Sequence, residues 1–163
     1  MGLLDKLSAF LQKSNVNWEQ IKNSGSLYPK SSVAILSVKT NTGKLSTGWV
    51  NKAYEKYPYK EFCPYNLSIT VDLIKGMNEG LPGLDMYTIE EFFVEALRAV
   101  CVAHIVARIT GEGELYIEAY VEKADIAVQR LQEISNAPEQ SIYFHFQVNK
   151  DPKWQTIDEL MRL

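Results

Sequence analysis

The sequence predicts an α+β fold: an antiparallel or mixed sheet with helices packed mainly on one face, and a ferredoxin-like arrangement in the C-terminal half. Three observations predict it. Apolar residues alternate with polar ones over residues 67–73, 100–110, 114–121 and 141–148, the period of a half-buried strand. Over residues 88–100 and 124–134 the apolar spacing changes to three and four, the period of an amphipathic helix. The strands follow one another through hairpins and helices rather than in strict β-α-β alternation, which separates α+β from α/β.

Taken in order, Leu3, Leu4, Leu7, Phe10 and Leu11 lie on one stripe and predict an amphipathic helix over residues 1–13. Its expected role is to pack against its own domain, because a membrane-surface helix carries a more basic polar face. The β-branched run 32–40, the turn residues Asn41-Thr42-Gly43 and the segment 44–50 predict strand, turn, strand. Tyr54, Tyr57, Tyr59, Phe62 and Tyr65 fall in a proline-broken stretch, a long loop expected to pack its rings on the core. Residues 76–83 are expected to turn.

Thr88 with Glu91 fits a capping box, followed by a helix burying Ile89, Phe92, Phe93, Ala96, Leu97 and Val100 and leaving Glu90 outside. Both rings are expected to be core. Gly111-Glu112-Gly113 is the strongest hairpin signal, joining a strand that ends near Thr110 to one over 114–121. Ala124, Ala127, Val128, Leu131 and Ile134 make the next helical stripe, and Pro138 helps to close it. In Asp151-Pro152-Lys153-Trp154 the carboxylate can accept from free amides of the next turn, and Trp154 opens a last short helix as a buried anchor.

The whole of residues 1–163 reads as one domain, since no linker separates two. With 46% hydrophobic and 23% charged residues the chain has a globular composition. Its formal charge of −3 and its lack of a Lys/Arg block argue against nucleic acid as partner. No apolar run approaches the roughly 20 residues of a membrane-spanning helix, and the start has no cationic leader, so no membrane association and a cytoplasmic location are expected. Cys63 and Cys101 are expected to stay reduced.

Catalytic motifs are absent: there is no phosphate-binding glycine loop, nucleophile elbow or zinc-protease signature. Alternation suggests something else. If Ala103, Ile105, Ala107 and Ile109 face the core, His104 and Arg108 point the other way. Tyr116, Glu118 and Tyr120 do so on the next strand, and Tyr143 and His145 on the last. Together these seven form either a recognition surface for a protein partner or a solvated sheet face of cross-strand pairs. On the first reading, His104 and Tyr120 can be replaced with little loss of stability. Two histidines without a cysteine or carboxylate pattern define no metal site, and no cofactor is expected. The rival reading is a small enzyme using His104 or His145 as general base, and a third is a toxin-neutralising, immunity-type protein.

The stretch from His104 to Gly113, the strand Tyr116 to Tyr120, the Asp151-Pro152-Lys153-Trp154 motif, Gly80-Leu81-Pro82 and Asn17-Trp18 resemble the bacterial domain of unknown function 695. The resemblance spans about residues 17–154. It implies a fold similar to that of the regulator of ribonuclease E activity B, and action by binding rather than catalysis; it supplies no catalytic residues.

Overall fold

The computed structural model describes residues 16–78, 85–139 and 141–163. In chain order the elements are α1 (Trp18–Lys22), β1 (Val33–Lys39), β2 (Leu45–Asn51), β3 (Tyr65–Asp72), α2 (Leu73–Asn78), α3 (Met86–Arg98), β4 (Ala103–Gly111), β5 (Glu114–Val121), α4 (Ala124–Ser135), β6 (Phe144–Lys150) and α5 (Asp158–Arg162). Short 3-10 turns cover Lys52–Tyr54, Lys60–Phe62 and Gln155–Ile157. The expected helix over residues 1–13 and the Gly80-Leu81-Pro82 stretch lie outside the described residues.

The strands form one six-stranded sheet in the order β1-β2-β4-β5-β3-β6, antiparallel at every step, so the fold is α+β. The β4–β5 hairpin turns on Glu112 (φ 56°) and Gly113 (φ 85°), both in the left-handed region that a tight two-residue turn demands. Glu112 is held there although it has a Cβ. Its carboxylate accepts from the Thr40 hydroxyl at 3.1 Å and from Thr42, which ties this hairpin tip to that of β1–β2.

One side of the sheet carries the two longest helices. Leu67, Ile69 and Val71 of β3, Ala103 and Ile105 of β4, and Leu115, Ile117, Ala119 and Val121 of β5 pack against Ile89, Phe93 and Leu97 of α3 and Ala127 and Leu131 of α4. The opposite, outer side is also covered over β1, β2, β4 and the end of β5. There Tyr54, Tyr57, Cys63, Trp154, Ile157 and Met161 close over Leu36, Val50, Val106 and Tyr120. The aromatic loop therefore does pack on the core, as a lid of irregular chain rather than a helix layer.

A bulge between Ile105 and Ala107 overturns the simple alternation along β4. Ile105 lies opposite Ala119, but Ala107 lies opposite Glu118, so one extra residue enters the strand and every later side chain changes side. Ala107 and Ile109 thus face outward. Arg108 comes to the helix side, where its guanidinium meets the Glu90 carboxylate at 2.7 Å. This corrects two expectations together: Arg108 is not on the outer face, and Glu90 is a nearly buried partner rather than a solvated helix residue.

Helix starts also differ from the sequence expectation. Asp85, not Thr88, caps α3 and accepts the Thr88 amide at 2.8 Å; an Asp three residues upstream supplies the same bond that the box was expected to supply. The Asp72 carboxylate accepts the Lys75 amide at 2.8 Å, and the chain enters α2 where a turn was expected. On α3, Phe93 is fully buried, whereas Phe92 is 38% exposed and lies edge-on to Phe93, centroids 5.3 Å apart. Phe93→Ala should cost about 3–5 kcal/mol and Phe92→Ala about 1 kcal/mol or less. Urea melts of the two variants check this, and equal losses would mean that the helix is rotated from its described position.

Among the described residues no helix is long and apolar enough to cross a membrane.

Candidate functional site

The sheet register arranges the outer face in rows running from β6 towards β4. His145, Thr70, Tyr116 and Ile109 make one row; Gln147, Ser68, Glu118 and Ala107 the next; Asn149, Asn66, Tyr120 and His104 the third. His104, Tyr116, Glu118, Tyr120 and His145 are thus on one face, opposite Ile105, Ile117 and Phe144. Tyr143 continues the register beside Asp72, whose amide donates to the Tyr143 carbonyl at 2.8 Å, and the Lys75 ammonium stands 4.0 Å from its ring centroid.

This face is divided in two. Its His104 end is closed: His104, Tyr120 and Trp154 are all 0% exposed. His104 sits among the rings of Tyr28, Tyr54, Tyr57 and Trp154, with centroids between 4.8 and 5.7 Å away. The Tyr57 hydroxyl donates its one proton to the Leu27 carbonyl at 2.7 Å, so its oxygen accepts from His104 Nε2 at 3.3 Å. That leaves Nδ1 bare, to accept the Tyr54 hydroxyl at 3.2 Å. The neutral ring is fully bonded in this tautomer.

Burial, with the nearby Arg98 guanidinium adding to it, pushes the His104 imidazole down to about 3. A sealed, neutral ring cannot reach an external substrate or partner. The expectation that His104 and Tyr120 are replaceable surface residues is therefore corrected: the loop from Tyr54 to Cys63 and the Trp154 ring cover them, and they belong to the core. The His104 version of the general-base reading falls with it.

Trp154 is the keystone of this lid. Its indole stacks on Tyr120 with centroids 4.1 Å apart, and Nε1 donates to the carbonyls of Cys63 at 2.9 Å and Lys60 at 3.1 Å. Asp151 holds the approach: its carboxylate accepts the amides of Gln155 and Thr156, each at 2.9 Å, and the Tyr120 hydroxyl at 2.7 Å. Although burial opposes it, these donors keep the Asp151 carboxyl below its ordinary range. The sequence motif acts as the anchor expected of it, except that Trp154 takes the left-handed conformation (φ 58°) ahead of a 3-10 turn instead of opening a helix.

The other end of the face is open and polar. Glu118 is half-buried at its centre, accepting from the Ser68 hydroxyl at 2.7 Å and the Asn66 amide at 3.1 Å. Burial raises its carboxyl and those two donors partly offset the rise. Around it stand exposed His145 and Gln147 and the part-exposed Thr70 and Tyr116. A bond to the Glu114 carboxylate pushes the Tyr116 phenol up to about 12, so it stays a neutral hydroxyl at physiological pH. The arrangement offers acceptor oxygens and flat rings on a rigid sheet. Such a surface can receive a cationic or amide donor and stack against it.

Asn66, Ser68 and Thr70 belong to this site and were not among the residues singled out from sequence. Their own alternation placed them on one side of β3. Which side met Tyr116 and Glu118 depended on β3 inserting between β5 and β6, which no local signal carries.

Burial raises the thiols of both Cys63 and Cys101, which are free. Among the described residues no group of three His, Cys, Asp or Glu side chains is placed to hold a metal ion. No family model matches the chain, and no curated protein sequence matches it.

Proposed function

We propose that this chain is a non-enzymatic binding module that recognises a protein partner through the open part of its outer sheet face, around Glu118. The observation that carries this reading is the division of the face. A lid of aromatic side chains closes one end completely, while β3, β5 and β6 leave a fixed set of acceptors and rings uncovered at the other. Glu118 is pre-oriented by Ser68 and Asn66, which lowers the entropic cost of offering it to a ligand. A partner suited to this surface presents Lys, Arg or an amide towards Glu118 and an apolar or planar group towards Tyr116 and His145.

The succession β3-α2-α3-β4-β5-α4-β6, with strand order β6-β3-β5-β4, supports a ferredoxin-like reading of this half. It is also compatible with the resemblance to domain of unknown function 695. A binding role in the cytoplasm, with no nucleic acid, is the function that this reading assigns.

The test uses the full chain immobilised against a lysate of its native host. The parent should retain one protein in stoichiometric amount, and the Tyr116→Ala/His145→Ala double variant should lose it at least about tenfold, as truncation of interface aromatics does. Both proteins should melt alike, because neither side chain is in the core. Equal retention by parent and variant would place the partner elsewhere and overturn the proposal.

A further inference from the structure

β1 forms one edge of the sheet; among the described residues the strand it pairs with is β2, and its other flank has none. The ladder fixes which way its backbone points. The Lys52 amide donates to the Ser32 carbonyl and the Thr40 amide to the Lys44 carbonyl, each at 2.8 Å, so the hydrogen-bonded pairs of this hairpin are those of even-numbered residues. Ala34, Leu36 and Val38 therefore direct their N–H and C=O groups at β2, while Val33, Ile35, Ser37 and Lys39 turn theirs outward. The side chains of these same four residues are exposed, Ile35 at 80%, and stand on the side of the sheet opposite buried Leu36. Free main-chain donors and acceptors beside an exposed apolar flank are a template for another strand.

Charge decides which strand fits. The chain has a formal charge of −3, yet no acidic residue lies between Glu19 and Glu55, a stretch with five lysines. Three of them are engaged: Lys22 with Glu19 and Glu122, Lys52 with the Met161 carbonyl, and Lys44 with the field of the Glu112 carboxylate. Lys30 and Lys39, at the two ends of the edge, are exposed and have no ion-pair partner among the described residues. In an antiparallel pair of two copies, the Lys39 end of each β1 would lie against the Lys30 end of the other, and like charges would meet at both ends. A strand with carboxylates at its ends meets attraction instead.

We infer that β1 is a second recognition site, which takes up an extended segment of a protein partner by strand addition. The segment is β-branched or apolar in its middle, beside Val33 and Ile35, and acidic at its ends, beside Lys30 and Lys39. Main-chain bonds to Val33, Ile35 and Ser37 hold it, and the two lysines select it. The site lies at the far edge of the sheet from β6, apart from the open face around Glu118, so each reading stands or falls without the other.

The experiment is amide hydrogen exchange on the full-length, nitrogen-15-labelled protein. The probe is a synthetic peptide of alternating valine and threonine with glutamates at both ends. With the peptide bound, the amides of Val33, Ile35 and Ser37 should exchange at least about tenfold more slowly, as a bonded edge does. The same peptide with lysines in place of the glutamates should bind at least about tenfold more weakly, and a Lys30→Glu/Lys39→Glu variant should reverse that preference. Ile35→Pro removes an outward N–H and no internal bond, so it should lose the acidic peptide. Unchanged exchange of these amides with the acidic peptide present would overturn the inference, as would equal binding of the two peptides. Slow exchange of these amides in the protein alone would also overturn it: where it grows with protein concentration the edge belongs to a second copy, and where it does not the chain covers its own edge.

Discussion

Trp154→Ala should destabilise the protein by about 3–5 kcal/mol, the range for removing a fully buried large ring, and leave it close to unfolding at 37 °C. Three contributions act together. The indole fills the space between Tyr120, Tyr54, Tyr57 and His104, and its loss opens a cavity among these rings. The buried Cys63 carbonyl loses the indole donor, whereas the Lys60 carbonyl keeps the Cys63 amide at 3.1 Å. The left-handed backbone at this position, φ 58°, is unfavourable for Ala as for Trp, so the substitution relieves no strain. Denaturant melts followed by near-ultraviolet circular dichroism measure the effect. Trp154→Phe, which keeps part of the ring but no donor, should fall between parent and Ala variant. A loss under about 1 kcal/mol for the Ala variant would show that the outer lid is not part of the cooperative core.

The elements legible in the sequence were those whose pattern is local. β5 ends where its alternation ends, the Gly111-Glu112-Gly113 turn sits where its glycine signal sits, and α4 follows its stripe. What local pattern could not carry was topology. The bulge at Val106 has no residue signature, yet it alone sends Arg108 to Glu90 and Ile109 outward. Likewise the alternation correctly put His104 and Tyr120 on the face opposite Ile105, but not under a lid formed by residues 31 or more positions away in the chain. The aromatic loop and the Asp151-Pro152-Lys153-Trp154 motif were each visible by themselves. Their meeting above His104 is a tertiary event, set by the Tyr120–Asp151 bond and the Trp154 stack.

Lowering the pH from 7 to 4.5 should destabilise the protein through His104 by about 2–3 kcal/mol, on top of whatever the carboxylates contribute. The folded ring is held neutral down to about 3, because burial disfavours the imidazolium and Arg98 repels it. In the unfolded chain a histidine binds its proton near pH 6.5. Between these two values the unfolded state therefore carries more protons than the folded one, so stability rises with pH. The contribution of the neutral ring is intact above about pH 6.5 and is lost progressively as the pH falls towards 3. The bonding supports the same direction, since Nδ1 is the acceptor for Tyr54 and has no room for a proton of its own without turning that hydroxyl. His104→Gln removes the titration while retaining a polar side chain. The variant should be less stable than the parent at pH 7, because its amide fits the two tyrosine hydroxyls poorly, yet its melting temperature should fall less steeply below pH 6.5. Comparing the two proteins cancels the carboxylates, which are common to both. Parallel stability curves from pH 7 to 4.5 would mean that the folded imidazole takes up its proton as readily as the unfolded one, and that the aromatic lid over it opens to water.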